Sequence, residues 1–136
     1  MSIWTHVIGA IRFDGLPMIS REKFNVNTVK LIMEGKIQYG EHGIRQVCDV
    51  PLPTGSEGTI QFNIIEYSDG LPWVTVAIYG DLRDYEDAKA IETWFDNRCK
   101  AWPLVRDGVL RVQVEGQLPI YIGHVKSPER NTCEQQ

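Results

Sequence analysis

Thr59-Ile60-Gln61-Phe62-Asn63-Ile64-Ile65-Glu66-Tyr67-Ser68-Asp69-Gly70-Leu71-Pro72-Trp73-Val74-Thr75-Val76-Ala77-Ile78-Tyr79-Gly80 is the stretch whose reading decides the fold. Over 59–67, Ile60, Phe62 and Ile64 alternate with Gln61, Asn63 and Ile65. Such a period-two pattern marks a strand with one buried face. Ser68-Asp69-Gly70 has hairpin-turn chemistry. Over 72–80, Val74, Val76 and Ile78 alternate with Trp73, Thr75, Ala77 and Tyr79. The stretch therefore predicts an antiparallel hairpin that buries its aliphatic face and leaves a mixed, aromatic-bearing face outside.

The neighbouring segments extend this hairpin into an α+β arrangement. Upstream, residues 3–13 place Ile3, Val7, Ile11 and Phe13 on one side and Trp4, His6, Ile8, Ala10 and Arg12 on the other. A strand apolar on both sides belongs in the middle of a sheet, and Gly9 within it suggests a bulge or a close backbone approach. Asp14-Gly15-Leu16-Pro17 reads as a turn. A helix is expected within 20–34, capped by Ser20 or Asn27 and closed by Gly35, with Phe24, Thr28, Leu31 and Ile32 as its buried stripe. Downstream of the hairpin, Asp84 is the expected N-cap of a second helix. Glu86 and Asp87 then fall in its first turn, Ala88, Ile91, Phe95 and Cys99 form its buried stripe, Trp94 and Trp102 flank it, and Pro103 ends it. Residues 109–115 form a strand with Leu110, Val112 and Val114 inward, and residues 120–125 return as an edge strand.

The expected order is a ferredoxin-like β-α-β-β-α-β antiparallel sheet with two helices on one face and an extra C-terminal hairpin strand. It makes one domain over 1–125, followed by a polar tail over 126–136. Residues 36–57, broken by Gly40, Gly43, Pro51, Pro53 and Gly55, are the least readable stretch; a short strand around 44–50 fits there. With both helices on one side, the other face of the sheet meets water or a partner. Trp4, His6, Gln61, Asn63, Trp73, Thr75, Tyr79, Arg111 and Gln113 are assigned to that face, subject to register.

Composition limits the functional classes. The chain has 136 residues, 43% apolar and 24% charged, with 14 basic against 18 acidic side chains and a net charge of −4. That length supports a core without disulfides or metal. The acidic balance argues against direct nucleic-acid binding, which draws most of its affinity from phosphate contacts. Cys48, Cys99 and Cys133 are odd in number and lack CxxC spacing, so they read as free thiols of a reducing compartment. No basic-plus-apolar leader and no membrane-length apolar run is present. A cytoplasmic location is expected, the host cytosol if the chain is phage-encoded. No cofactor motif is present and no cofactor is expected.

Four groups of side chains are candidates for chemistry. Asp81, Asp84, Glu86 and Asp87 could offer oxygen ligands to Mg²⁺ or Ca²⁺, yet acids at a helix start are also stabilising by themselves. Pro53-Thr54-Gly55-Ser56-Glu57-Gly58-Thr59 is glycine-rich but precedes a strand and lacks the P-loop lysine; its backbone could cradle an anion or simply be a solvated loop. His42, beside Glu41 and between Gly40 and Gly43, is the best single catalytic candidate because loops carry function, although no HExxH or GxSxG pattern supports it. The aromatic-bearing face suggests a binding surface of Trp4, His6, Trp73, Tyr79 and Arg111. RNA-recognition sheets stack bases on such faces, but the basic-Gly-aromatic core is missing at 73–80, so a protein interface or homo-oligomer fits better.

Trp4-Thr5-His6-Val7 through Ile11-Arg12-Phe13-Asp14-Gly15, then Leu52-Pro53-Thr54-Gly55-Ser56-Glu57-Gly58, then Gly80-Asp81-Leu82-Arg83-Asp84-Tyr85-Glu86-Asp87 together resemble segments of small hypothetical proteins encoded by bacteriophages and prophages. The resemblance implies a phage or mobile-element accessory protein that acts by binding. It would antagonise a host defence or nucleic-acid-handling system, or sequester a small nucleotide signal. The alternatives are a small ligand-binding or catalytic α+β barrel dimer using His42, Glu41, Glu57 and Asp81, and a minor virion component.

Overall fold

The structure is a computed structural model that describes residues 2–15, 24–40, 42–49, 51–66 and 73–125. In chain order the elements are β1 (Trp4–Asp14), α1 (Val26–Met33), β2 (Ile37–Gly40), β3 (Gly43–Gln46), β4 (Gln61–Glu66), β5 (Trp73–Arg83), α2 (Ala88–Lys100), β6 (Val105–Val114) and β7 (Ile120–Val125). The result is a mixed α+β architecture. Five strands form one sheet in the order β4-β5-β1-β6-β7, and every neighbouring pair is antiparallel. The strand read as apolar on both sides, β1, occupies the centre.

One face of this sheet is the core. Val7, Ile11 and Phe13 of β1 meet Val74, Val76, Ile78 and Leu82 of β5 and Leu110 and Val112 of β6. Phe24 and α1 contribute Val29, Ile32 and Met33, and α2 contributes Ile91, Trp94, Phe95 and Cys99. Both helices therefore cover the same face. Gly9 is required by a close approach: a Cβ there would lie 2.1 Å from the Val109 carbonyl oxygen. The register passes through Gly9 unbroken and shifts only between Arg12 and Phe13.

Local chemistry defines the helix ends. Asn25 caps α1, its side chain accepting from the Thr28 N–H at 3.1 Å, so the cap is neither Ser20, which lies outside the described residues, nor Asn27. Gly35 closes the helix at φ 75°, the left-handed conformation that glycine adopts without strain. Val29 and Met33, rather than Leu31, complete the buried stripe with Thr28 and Ile32. Arg98 of α2 is 1% exposed. Its Nε donates to the Met33 carbonyl at 3.0 Å and its Nη1 meets Asp49 at 3.1 Å, so one guanidinium ties the end of α1 to the chain after β3.

The structure corrects several expectations. The short strand expected around 44–50 is β3, and β2 pairs with it as a separate two-stranded sheet, so the described residues hold seven strands where six were expected. The propensity pattern hid β2 because Ile37-Gln38-Tyr39-Gly40 is only four residues long. The N-cap of α2 is Asp87, accepting from the Ala90 N–H at 3.0 Å, and not Asp84. β5 runs on through Asp81, Leu82 and Arg83, and Asp84 then turns the chain at φ 55°. Glu86 and Asp87 consequently precede the helix. The 68–70 turn, Cys133 and the tail over 126–136 lie outside the described residues.

Candidate functional site

The sheet face opposite the helices carries side chains in rows set by register. Gln61, Tyr79, Ile8, Arg111 and Tyr121 form one row across all five strands. Asn63, Ala77, Ala10, Val109 and Gly123 form the next. On the other side of the first row, Asp81, His6 and Gln113 line up. All nine residues assigned to the outer face from sequence sit on it: alternate positions of β1, β4, β5 and β6 point away from the core.

A cleft of about 490 Å³ opens on this face; His6, Ile8, Gln61, Tyr79, Asp81 and Arg111 line it, with Gly58 and Thr59 as one wall. That volume lies within the range of small-ligand sites. His6 Nδ1 is 2.6 Å from an Asp81 carboxylate oxygen, and its Nε2 is 3.8 Å from Glu115. The histidine is thus held between two carboxylates. Arg111 Nη2 donates to Gln113 Oε1 at 2.7 Å, and Gln113 Nε2 donates to the Gln117 carbonyl at 3.4 Å. This chain of bonds orients the guanidinium without neutralising it. The other arginines of the face are matched: Arg12 with Asp107, Arg83 with Glu57 and Asp84, and Arg106 with Asp14 and over the Trp73 ring at 4.5 Å. Among the described residues, Arg111 is the arginine of this face with no carboxylate beside it.

The glycine-rich 53–59 loop builds the cleft wall. Ser56 N–H donates to the Arg83 carbonyl at 2.9 Å, Arg83 N–H donates to the Glu57 carbonyl at 2.9 Å, and Gly55 N–H donates to the Gly58 carbonyl at 2.9 Å. The loop is fastened to the end of β5. The Gly55 and Ser56 amides are used in this docking, so the anion-cradle reading of these two groups is corrected. Gly58 sits at φ 77°, and a Cβ there would come within 2.0 Å of the Asp81 carbonyl oxygen.

The structure brings His6, Tyr79 and Arg111 of the expected binding set to one cleft. Trp4 and Trp73 share their face but lie at opposite ends, because Trp4 pairs with Arg83 and Trp73 with Asp14; ten strand residues separate these ends, roughly 33 Å. The catalytic candidates do not converge. His42 sits at the β2–β3 turn, in a small depression with Gly40, Gly43 and Arg45, Glu57 pairs with Arg83, Asp81 pairs with His6, and Glu41 lies outside the described residues. The metal candidates are likewise distributed. Asp81 is on β5, Asp84 accepts from Ser56 Oγ at 3.1 Å, and Asp87 caps α2. No group of three potential ligands occurs among the described residues. Sequence reasoning missed Ile8 and Tyr121 as site residues: an isoleucine in a strand read as central looks like core, and Tyr121 joins the row only through pairing with Arg111.

Compared with known protein families, with curated proteins and with solved structures, the chain matches none.

Proposed function

We propose that the chain is an accessory binding protein of the phage or mobile-element kind, working in the host cytosol, and that it sequesters a small ring-bearing anion of the nucleotide class in the outer-face cleft. The observation that carries the reading is Arg111, a cation at the cleft without a carboxylate partner among the described residues, next to Tyr79 and Ile8 in the same cross-strand row. A flat ring can stack on Tyr79 and Ile8. Arg111 can take a phosphate as a bidentate partner. Gln61 and the His6–Asp81 pair offer hydrogen-bond groups to ring edges.

The frame is read as a ferredoxin-like unit with additions. Leaving out β2, β3 and β7, the chain runs β1, α1, β4, β5, α2, β6, with β4-β5-β1-β6 as spatial order. That supports the split β-α-β reading, with the β2–β3 hairpin inserted after α1 and β7 appended at one edge. The described helices include none long and apolar enough to cross a membrane.

Isothermal titration of the purified protein with mononucleotides, cyclic dinucleotides and inorganic phosphate tests the function. Saturable binding of a nucleotide, weakened at least tenfold by Arg111→Gln and much tighter than inorganic phosphate, is the expected result. No heat and no thermal stabilisation at millimolar nucleotide would overturn the reading.

A further inference from the structure

The open face has a steric pattern that matches itself. One cross-strand row is bulky: Tyr79, Ile8, Arg111 and Tyr121. The next row on the same four strands steps down to Ala77, Ala10, Val109 and Gly123. The bulky residues stand free, with Ile8 60%, Tyr79 44% and Tyr121 69% exposed. Beside the small row the surface dips into a depression of about 240 Å³ bounded by Ala10, Arg12, Thr75, Asp107 and Val109.

From this pattern we infer that the occupant of the open sheet face is a second copy of the chain, in a face-to-face, two-fold dimer whose axis crosses the strands at the level of Gly9. Such an axis exchanges the two rows while keeping each strand opposite its own copy. Ile8 then seats over the second copy's Ala10 and depression, Tyr79 over Ala77, Tyr121 over Gly123 and the stem of Arg111 over Val109, and each contact is repeated by symmetry. This is the isologous, self-complementary surface a closed dimer needs. The same exchange brings the Asp81–His6 row over the Arg12 row, with His6 over Arg12 and Asp81 over Thr75, one strand away from that arginine.

The extent of the face suits the task. The strands of this sheet have 6, 11, 11, 10 and 6 residues; at about 16 Å² per residue (3.3 by 4.8 Å) they span roughly 700 Å² in projection. That is close to the ~800 Å² per partner of a standard stable interface. Val109, 54% exposed, extends the apolar centre, and the Arg12–Asp107 and His6–Asp81 pairs lie towards the rim, the anatomy expected of an interface. The inference rests on the stepped rows and not on the charge of Arg111, but it uses the same face as the nucleotide reading: Ile8 and Tyr79 line the cleft, so a second copy and a ligand compete for them.

Light scattering coupled to size exclusion at tens of micromolar, without ligand, tests it. The expected mass is twice the 15.5 kDa of one chain. Ile8→Glu and Ala10→Glu, each placing a charge at the predicted centre, return it to the monomer mass. Ile44→Glu, on the exposed side of the separate β2–β3 hairpin, leaves the dimer intact. Circular dichroism reports folding. A monomeric wild type at 100 µM, or a dimer that persists with folded Ile8→Glu and Ala10→Glu, overturns the inference. Arg111→Gln keeps an aliphatic stem in the interface row and removes a charge that would otherwise face Val109, so it is expected to spare the dimer and weaken the ligand, and the two losses are read separately.

Discussion

At the residue scale, two buried groups of α2 combine ordinary chemistry with an unusual setting. The Cys99 thiol is 1% exposed, and burial, with a smaller contribution from Asp96, pushes its pKa up from 9.0 to about 12. A thiol that stays protonated is a poor nucleophile. In a Cys133→Ser variant, a disulfide reagent is expected to titrate Cys48 in the folded protein and both thiols only after denaturation. Because the folded thiol keeps its proton where the unfolded thiol has released it, stability falls as pH rises from 9.0 towards 12, by about 1.4 kcal/mol per pH unit at most. Burial also raises the Tyr85 hydroxyl above 10.0, which adds a loss of the same sign. Urea melts at pH 8 and pH 11 check this; Cys99→Ala is expected to flatten the slope without abolishing it.

Arg98 is the second such group. Burial lowers its pKa and Asp49 opposes that shift, so the guanidinium remains charged and depends on acceptors that include the Met33 carbonyl and Asp49. Arg98→Ala removes the tie between α2, the Met33 carbonyl and Asp49. A loss of about 3 kcal/mol is expected from the unpaired groups left behind, measured by chemical denaturation. Arg98→Lys is expected to recover little, because an ammonium cannot reproduce the forked geometry.

At the element scale, α1 is two turns long and relies on its ends. Asn25→Ala is expected to cost about 1 kcal/mol by removing the cap, while Asn27→Ala leaves stability nearly unchanged; the same denaturation measurement separates the two. The 53–59 loop is the other element with a definite task. Gly58→Ala combines a left-handed backbone with a Cβ 2.0 Å from the Asp81 carbonyl oxygen, so the loop must leave the end of β5. The expected cost is about 2–4 kcal/mol, together with loss of binding in the cleft that Gly58 lines. A Gly116→Ala control, at φ 83° with open space around it, is expected to show only the smaller backbone cost.

At the molecular scale, the sheet divides its faces unequally. Two helices bury one side, while the other presents a cleft at the His6–Asp81 end and a stepped apolar surface beyond it. If the face binds as proposed, both events draw on Tyr79 and Ile8. Ile8→Glu is then expected to disturb dimer and ligand together, whereas Arg111→Gln affects ligand alone. Light scattering and titration calorimetry on the same two variants distinguish these patterns.

The sequence by itself determined the local features of this protein. Period-two alternation placed the outer-face residues of β1, β4, β5 and β6 correctly, and the 3.6-residue stripe placed Ile91, Phe95 and Cys99 in the core, because each pattern is complete within one element. His6, Tyr79 and Arg111 were legible as members of one face for the same reason. Tertiary structure alone decided what required distant segments to align. It put Asp81 into β5 beside His6, docked the 53–59 loop as a wall, and paired β2 with β3. It also set Tyr79, Ile8, Arg111 and Tyr121 in a single row next to Ala77, Ala10, Val109 and Gly123. A row depends on the register between strands far apart in the chain, and a shift of one residue would turn each of its side chains to the other face.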